Sequence, residues 1–245
     1  MRTREFTDVS EALDRLFVTM NMKLAKMLPI PDHFRRCHAY SGSVDAMLRK
    51  YETSLRNMYN GLVDAGRVKD HVTFGAWNAF LVCAGIVNAD ISDREGMLCF
   101  VWSRMLVFDG QTWNGRVKES CMPFEGFMEA LCRLAVLKGL PTAKEVEESG
   151  LPCAGSYLIA LQEKDANKHR DFITEAHRKV EWGEEPPKSE SLAFRLEGLI
   201  RLIILTIEGI ANAAGANDEI SHEEMKRWVR LNEATFKKHM DTLKR

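Results

Sequence analysis

Side-chain oxygens placed at intervals between two amphipathic helices are the pattern in this chain that most readily suggests chemistry. A twelve-residue loop that holds calcium carries oxygen ligands at its first, third and fifth places and a bidentate glutamate at its twelfth. A glycine at the sixth place allows the turn, and an apolar residue at the eighth pairs with a neighbouring loop. Two stretches keep that frame. In AGRVKDHVTFGAW, setting Val72 at the eighth place puts Ala65, Arg67, Lys69 and Ala76 at the ligand places. Two of these are methyl groups and two are cations, so calcium is excluded there. In MPFEGFMEALCRLA, Met122 takes the eighth place, Phe124 the aromatic one that follows, and Gly126 stands where the closing glutamate should be. The stretch before it, FDGQTWNGRVKES, is too long for the standard loop. Asp109, Gln111 and Asn114 offer oxygens, but no bidentate carboxylate completes them. A third echo, AAGANDEISHEEM, has Ile220 at the eighth place and Glu224 at the twelfth, while Ala213 and Gly215 leave the first and third empty. Ser221 and Glu224 read better as the capping pair of a helix. No metal is expected.

Other chemistry is sparse. There is no GxxxxGK[ST] or GxGxxG phosphate loop, no GxSxG and no HExxH. The seven histidines are scattered, and His33 and His38, which flank Cys37, have no strand-based scaffold in sequence to position them. A cysteine–histidine nucleophile forms only in space, so the sequence is silent on one. The reading is of a non-enzyme without a cofactor. The six cysteines form no CxxC pair; Cys83, Cys99 and Cys132 fall in apolar helical patterns and read as reduced core residues.

A chain of 245 residues, 45% of them hydrophobic, can bury one large core or two smaller ones. A net charge of −1 gives no global electrostatic case for nucleic acid or an anionic membrane. The N-terminus shows no signal peptide, and Glu5, Asp8, Glu11 and Asp14 argue against a mitochondrial presequence. The longest apolar run, Gly198–Gly215, is interrupted by Arg201 and Glu208 and preceded by Glu197. It reads as a central helix of a soluble protein rather than a membrane span.

Nearly every segment has helical periodicity, and the fold class is all-α. Leu13, Leu16, Phe17, Met20 and Leu24 mark one face of a first helix, ended by Pro29 and Pro31. Ser43 is placed to cap a second helix with Met47, Tyr51, Leu55, Met58 and Leu62 inward. A third runs from about Phe74 to Ala84, with Trp77, Phe80, Leu81 and Ala84 inward. Ser92 and Glu95 open a fourth, with Phe100, Val101 and Met105 expected inside. Pro123 opens a fifth, closed by Gly139, and Thr142 with Glu145 opens a short sixth. One long helix is expected over Cys153–Trp182. GEEPPKSES has two prolines and no apolar period and reads as a linker. After it come the apolar helix and one last helix opened by Ser221. The organisation expected is therefore 1–42, an N-terminal helix and connecting loop; 43–182, a helix–loop–helix pair plus a long helix; 183–191, a linker; and 192–245, a C-terminal helical hairpin.

Residues 45–137 resemble a degenerate EF-hand pair of the kind found in the tubulin-polymerisation-promoting family and in helical proteins of cilia and flagella. The likeness rests on FGAWNAFLVCAGIVNADISDREGMLCFVWSRM followed by MPFEGFMEALCRLA. It consists of a tryptophan-bearing helix, a short connector, a helix with a central phenylalanine and a closing amphipathic helix. The resemblance implies a microtubule-associated structural protein of the cytoplasm and cytoskeleton, in a ciliary or flagellar axoneme, with tubulin or axonemal proteins as partners. It implies neither an enzyme nor a nucleic-acid or membrane partner. The alternative function is a calcium-independent cytosolic adaptor whose groove takes an amphipathic helix. The two hands are expected to pack through their helices, with the loops pairing through Val72 and Met122.

A binder of acidic tubulin surfaces should carry local basic patches. One candidate is Arg35 and Arg36 in the proline-bounded loop. The other is the last helix, with Lys226, Arg227, Arg230, Lys237 and Lys238, followed by Lys244 and Arg245. Its apolar Trp228, Leu231 and Phe236 could pack on the domain or on a partner. The first reading of the patches is an ordinary surface loop and a solvated helix face, and cations near a helix C-terminus also oppose its dipole without a partner. Trp113 is either an interface anchor or a cover folded over the core.

Overall fold

A computed structural model describes residues 31–105, 107, 109–178, 190–209 and 219–242. The helix read over Leu13–Leu24, residues Ala213 and Gly215, the basic pair Lys244 and Arg245, and all of the GEEPPKSES stretch but its last two residues lie outside them. The described residues are all-α. Their one departure from helix and loop is an isolated antiparallel bridge between Val72 and Met122.

Side-chain caps set most helix starts. The chain enters through α1 (Pro31–Phe34) and a π-helical turn over Arg35–Ala39. Ser41, two residues before the expected cap Ser43, accepts from the Val44 amide and opens α2 (Gly42–Lys50). The helix read as continuous then breaks at Tyr51, and α3 follows (Glu52–Gly66). Thr73 caps α4 (Phe74–Cys83), and Ser92 with Glu95 forms a full capping box on α5 (Asp93–Ser103). The long loop after Asp109 winds into α6 (Trp113–Ser120), capped by Thr112. Pro123 precedes α7 (Phe124–Leu137), and a second capping box, Thr142 with Glu145, opens α8 (Ala143–Ser149).

The long helix expected to Trp182 is two helices, α9 (Ala154–Lys164) and α10 (Ala166–Thr174). Asp165 divides them. Its extended backbone ends one helix and its carboxylate accepts from the Asn167 and Lys168 amides to start the next. Ser191 opens the apolar α11 (Leu192–Glu208), and a third capping box, Ser221 with Glu224, opens α12 (His222–Leu231). The final helix also divides, at Asn232, giving α13 (Glu233–Thr242).

One core runs through these elements. The aromatic centre links Tyr59 to Phe124 and Phe127, Phe127 to Trp77 and Phe80, and Phe80 to Trp228. Of these, Trp77, Phe80 and Phe127 are fully buried, and side chains buried so fully contribute about 1.5–3 kcal/mol each. α11 lies against α2, α7 and α9, while α12 covers α3 and α13 lies along α4. Gly61 of α3 lets α12 approach, because a Cβ there would collide with the Met225 side chain. Phe100 is buried as expected. Val101 and Met105 are not: at 40% and 50% exposure they face outward. No helix among the described residues is long and apolar enough to cross a membrane.

Candidate interaction surface

The two loops between helices meet through paired backbone. Val72 N donates to the Met122 carbonyl and Met122 N to the Val72 carbonyl, each at 2.9 Å. Both side chains are fully buried. Tyr59 locks the join, since its hydroxyl donates to the Asp70 carbonyl at 2.8 Å and lies 3.3 Å from that of Met122. Asp70, at the sixth place of the first loop, holds φ 59°, the left-handed conformation for which glycine is favoured and aspartate tolerated.

The twelfth place of each loop, where the closing carboxylate would stand, is taken by packing. Ala76 is fully buried, and Thr73 turns its hydroxyl back to the Ala76 amide. Arg67 and Lys69 are exposed. At Gly126 a Cβ would collide with the Ser103 carbonyl oxygen at the end of α5 and lie 2.9 Å from the Met122 side chain. No carboxylate can occupy that position while α5 and α7 pack as they do. The described residues contain no cluster of three or more His, Cys, Asp or Glu side chains able to hold a metal ion.

Of the residues singled out for binding, Arg35 turns inward. Its Nε donates to Glu129 at 2.8 Å and its Nη2 to the Trp102 carbonyl at 2.6 Å. Glu129 also accepts from Arg133, which is buried and stacks over the Phe34 and Trp102 rings. Arg35 thereby ties the entry segment to α5 and α7. Arg36 points out and pairs with Asp32 one turn away. Trp113 is 76% exposed at the first position of α6. Arg227, Arg230, Lys237 and Lys238 are exposed and Lys226 is half-buried. The structure therefore draws half of one basic patch into an internal ion cluster. Among the apolar positions of the last segment, Trp228 and Phe236 face the core and Leu231 faces solvent.

Compared with protein families, with curated proteins and with solved structures, the chain matches none.

The side chains that hold these faces in place are buried charges unrecognised in sequence. Arg195 of α11 donates to the Ala135, Val136 and Lys138 carbonyls at the end of α7 and to that of Arg178. Burial pushes its guanidinium down to about 10, so it stays charged at neutral pH and satisfies the orphan carbonyls of a helix terminus. Lys138 pairs with Asp90 at 2.9 Å, both fully enclosed, and the other Asp90 oxygen accepts from the Gly139 amide. Arg178 bridges Glu145 and Glu175 and stacks on Phe172. Glu145 is held well below its ordinary range, at about 2, by the Arg178 hydrogen bond and by the Thr142 donors of its capping box. The signal in sequence was a charge inside an apolar stripe, as at Arg195 between Leu192 and Leu196. That marks an internal partner without naming it. Among the cysteines, burial raises the Cys99 thiol and takes that of Cys132 up to about 12, which leaves both poor nucleophiles.

Proposed function

We propose that this chain is a non-enzymatic structural component of a microtubule-based assembly such as an axoneme, built on a degenerate EF-hand-like pair that works without calcium. One observation carries the reading: the Val72–Met122 bridge joins two helix–loop–helix units whose twelfth places are closed, one by the buried Ala76 methyl and the other by the Gly126–Ser103 contact. The left-handed Asp70 at the sixth place and the cap at Thr73 fit the same frame. A paired-loop unit that keeps its packing, puts cations at two ligand places and closes the twelfth has no ion with which to open and close. It presents a fixed shape instead. The assignment to microtubules comes from the resemblance of residues 45–137, and the exposed cations of α12 and α13 suit an acidic lattice.

The adaptor reading needs an open groove for a target helix. Here α12 and α13 already lie across α3 and α4, with Met225, Trp228 and Phe236 buried. A target would have to displace them. Co-sedimentation with stabilised microtubules tests the structural reading. Pelleting that weakens with salt and is indifferent to calcium is expected. Absence from the pellet at low salt would overturn it.

A further inference from the structure

The helix α5 is apolar on two opposite sides. Its inner side packs on α4 and α7: the Gly96 carbonyl accepts from the Trp77 indole, Phe100 meets the Phe74 ring, and the Ser103 carbonyl lies against Gly126. At about 100° per residue, Leu98, Val101 and Trp102 share one stripe on the other side. Met105 follows two residues past the helix end. Val101 is 40% exposed and Met105 50%, while Leu98 and Trp102 are half-buried and stand outside the core cluster. Single exposed apolar residues are ordinary on a folded surface. A row of them along one helix marks a surface that something covers, since a helix apolar all round is a buried one.

The described chain begins beside this row. Arg35 Nη2 donates to the Trp102 carbonyl at 2.6 Å and to that of Arg104 at 3.4 Å. The Arg133 guanidinium lies 4.6 Å from the Phe34 ring centroid and 5.8 Å from that of Trp102. The entry segment is thus pinned at the Trp102 end of the row, with Pro31 three residues before Phe34. Ahead of Pro31, outside the described residues, Leu13, Leu16, Phe17, Met20 and Leu24 recur at helical spacing, and Glu11, Asp14 and Arg15 fall off that face. Leu24 is seven residues before Pro31, and an extended chain of that length reaches about 23 Å. Leu98 and Trp102 are about 6 Å apart along the axis of α5, so the tether spans the row with length to spare.

We propose that the segment Leu13–Leu24 of this same chain docks on the outer row of α5 as an amphipathic helix, an intramolecular strap whose Leu16, Phe17 and Met20 cover Val101 and Met105. The occupant is the chain's own segment because the pinned entry at Arg35 delivers it to the row at high effective concentration. The outer side of α5 is then an internal surface, closed to partners. This strap is independent of the microtubule reading and stands or falls without it.

Hydrogen–deuterium exchange of the full chain, read by mass spectrometry on peptides covering Leu13–Leu24, tests it. In the parent those amides should exchange about tenfold or more below the free-chain rate, and dilution of the protein should not change that. Val101→Glu with Met105→Glu puts charge on the outer row and should return the segment to the free-chain rate. Both positions are exposed, and unchanged protection in α7 and α11 would show that the core of this variant is intact. Leu16→Glu with Met20→Glu alters the segment instead. Leucine, methionine and glutamate have similar helix propensities, so this pair should remove the protection by loss of docking rather than of intrinsic helicity. Free-chain exchange in the parent, or protection that survives either double variant, overturns the strap. Protection that fades on dilution assigns the row to a second copy of the chain and overturns it as well.

Discussion

Gly126 shows how one residue closes a metal loop for good. In a calcium-binding frame the twelfth place reaches into the loop with a carboxylate. Here the Ser103 carbonyl stands where even a methyl group would go, and that carbonyl belongs to backbone that cannot rotate away. Gly126→Ala should therefore destabilise the protein by about 1–3 kcal/mol through overpacking, read as a lower urea midpoint; an unchanged midpoint would refute the contact. Glu145 gives a second test. Its carboxyl titrates at about 2 in the folded chain against an ordinary 4.5. A depressed folded value stabilises above the unfolded pKa, and that contribution is lost as the pH falls from about 4.5 towards 2. Glu145→Gln retains an oxygen for the capping box but not the charge. It should lower the melting temperature at neutral pH and flatten the acid-side loss, so that parent and variant converge near pH 2. Parallel pH curves would count against the Arg178 pairing.

Elements were legible in sequence where a single side chain decides a helix start. The Ser92–Glu95, Thr142–Glu145 and Ser221–Glu224 capping boxes were all evident from residue type and spacing, and all three form. Helix ends inside a periodic stretch were not. Tyr51, Asp165 and Asn232 each interrupt a pattern whose apolar phase resumes on the other side, so periodicity alone ran straight through them. Asp165 had left a local sign, since an aspartate can cap the residues after it; Asn232 had left none beyond its residue type. The bend there is maintained by burial of Trp228 and Phe236 on its inner side. Trp228→Ala should cost about 3–5 kcal/mol and loosen α12 and α13 together, seen as faster amide exchange in both helices while α9 and α10 keep their protection. Loss confined to α12 would mean that the two helices are not braced by one another.

Across the whole molecule, the buried cluster draws on residues from Ala39 to Phe236, with Lys50 pairing to Glu197 and Asn57 donating to the Ile220 carbonyl across the chain. A core shared in this way should unfold as one unit. Unfolding followed by tryptophan fluorescence and by far-ultraviolet circular dichroism should give coincident midpoints, and neither calcium nor a chelator should move them. A midpoint raised by calcium would show that oxygen ligands gather despite the filled loops. The sequence by itself determined the all-α class, the capping boxes, the buried positions Trp77, Phe80 and Phe100, and the facing places of Val72 and Met122. These follow from periodicity and loop spacing, which are local. Only the tertiary structure decided that Arg35 turns inward to Glu129, that Arg195 seals the end of α7, that Val101 and Met105 face outward, and that Leu231 faces solvent while Trp228 and Phe236 turn to the core. Each of those outcomes depends on which distant carbonyl, carboxylate or ring comes to lie alongside, and no spacing along the chain encodes the partner.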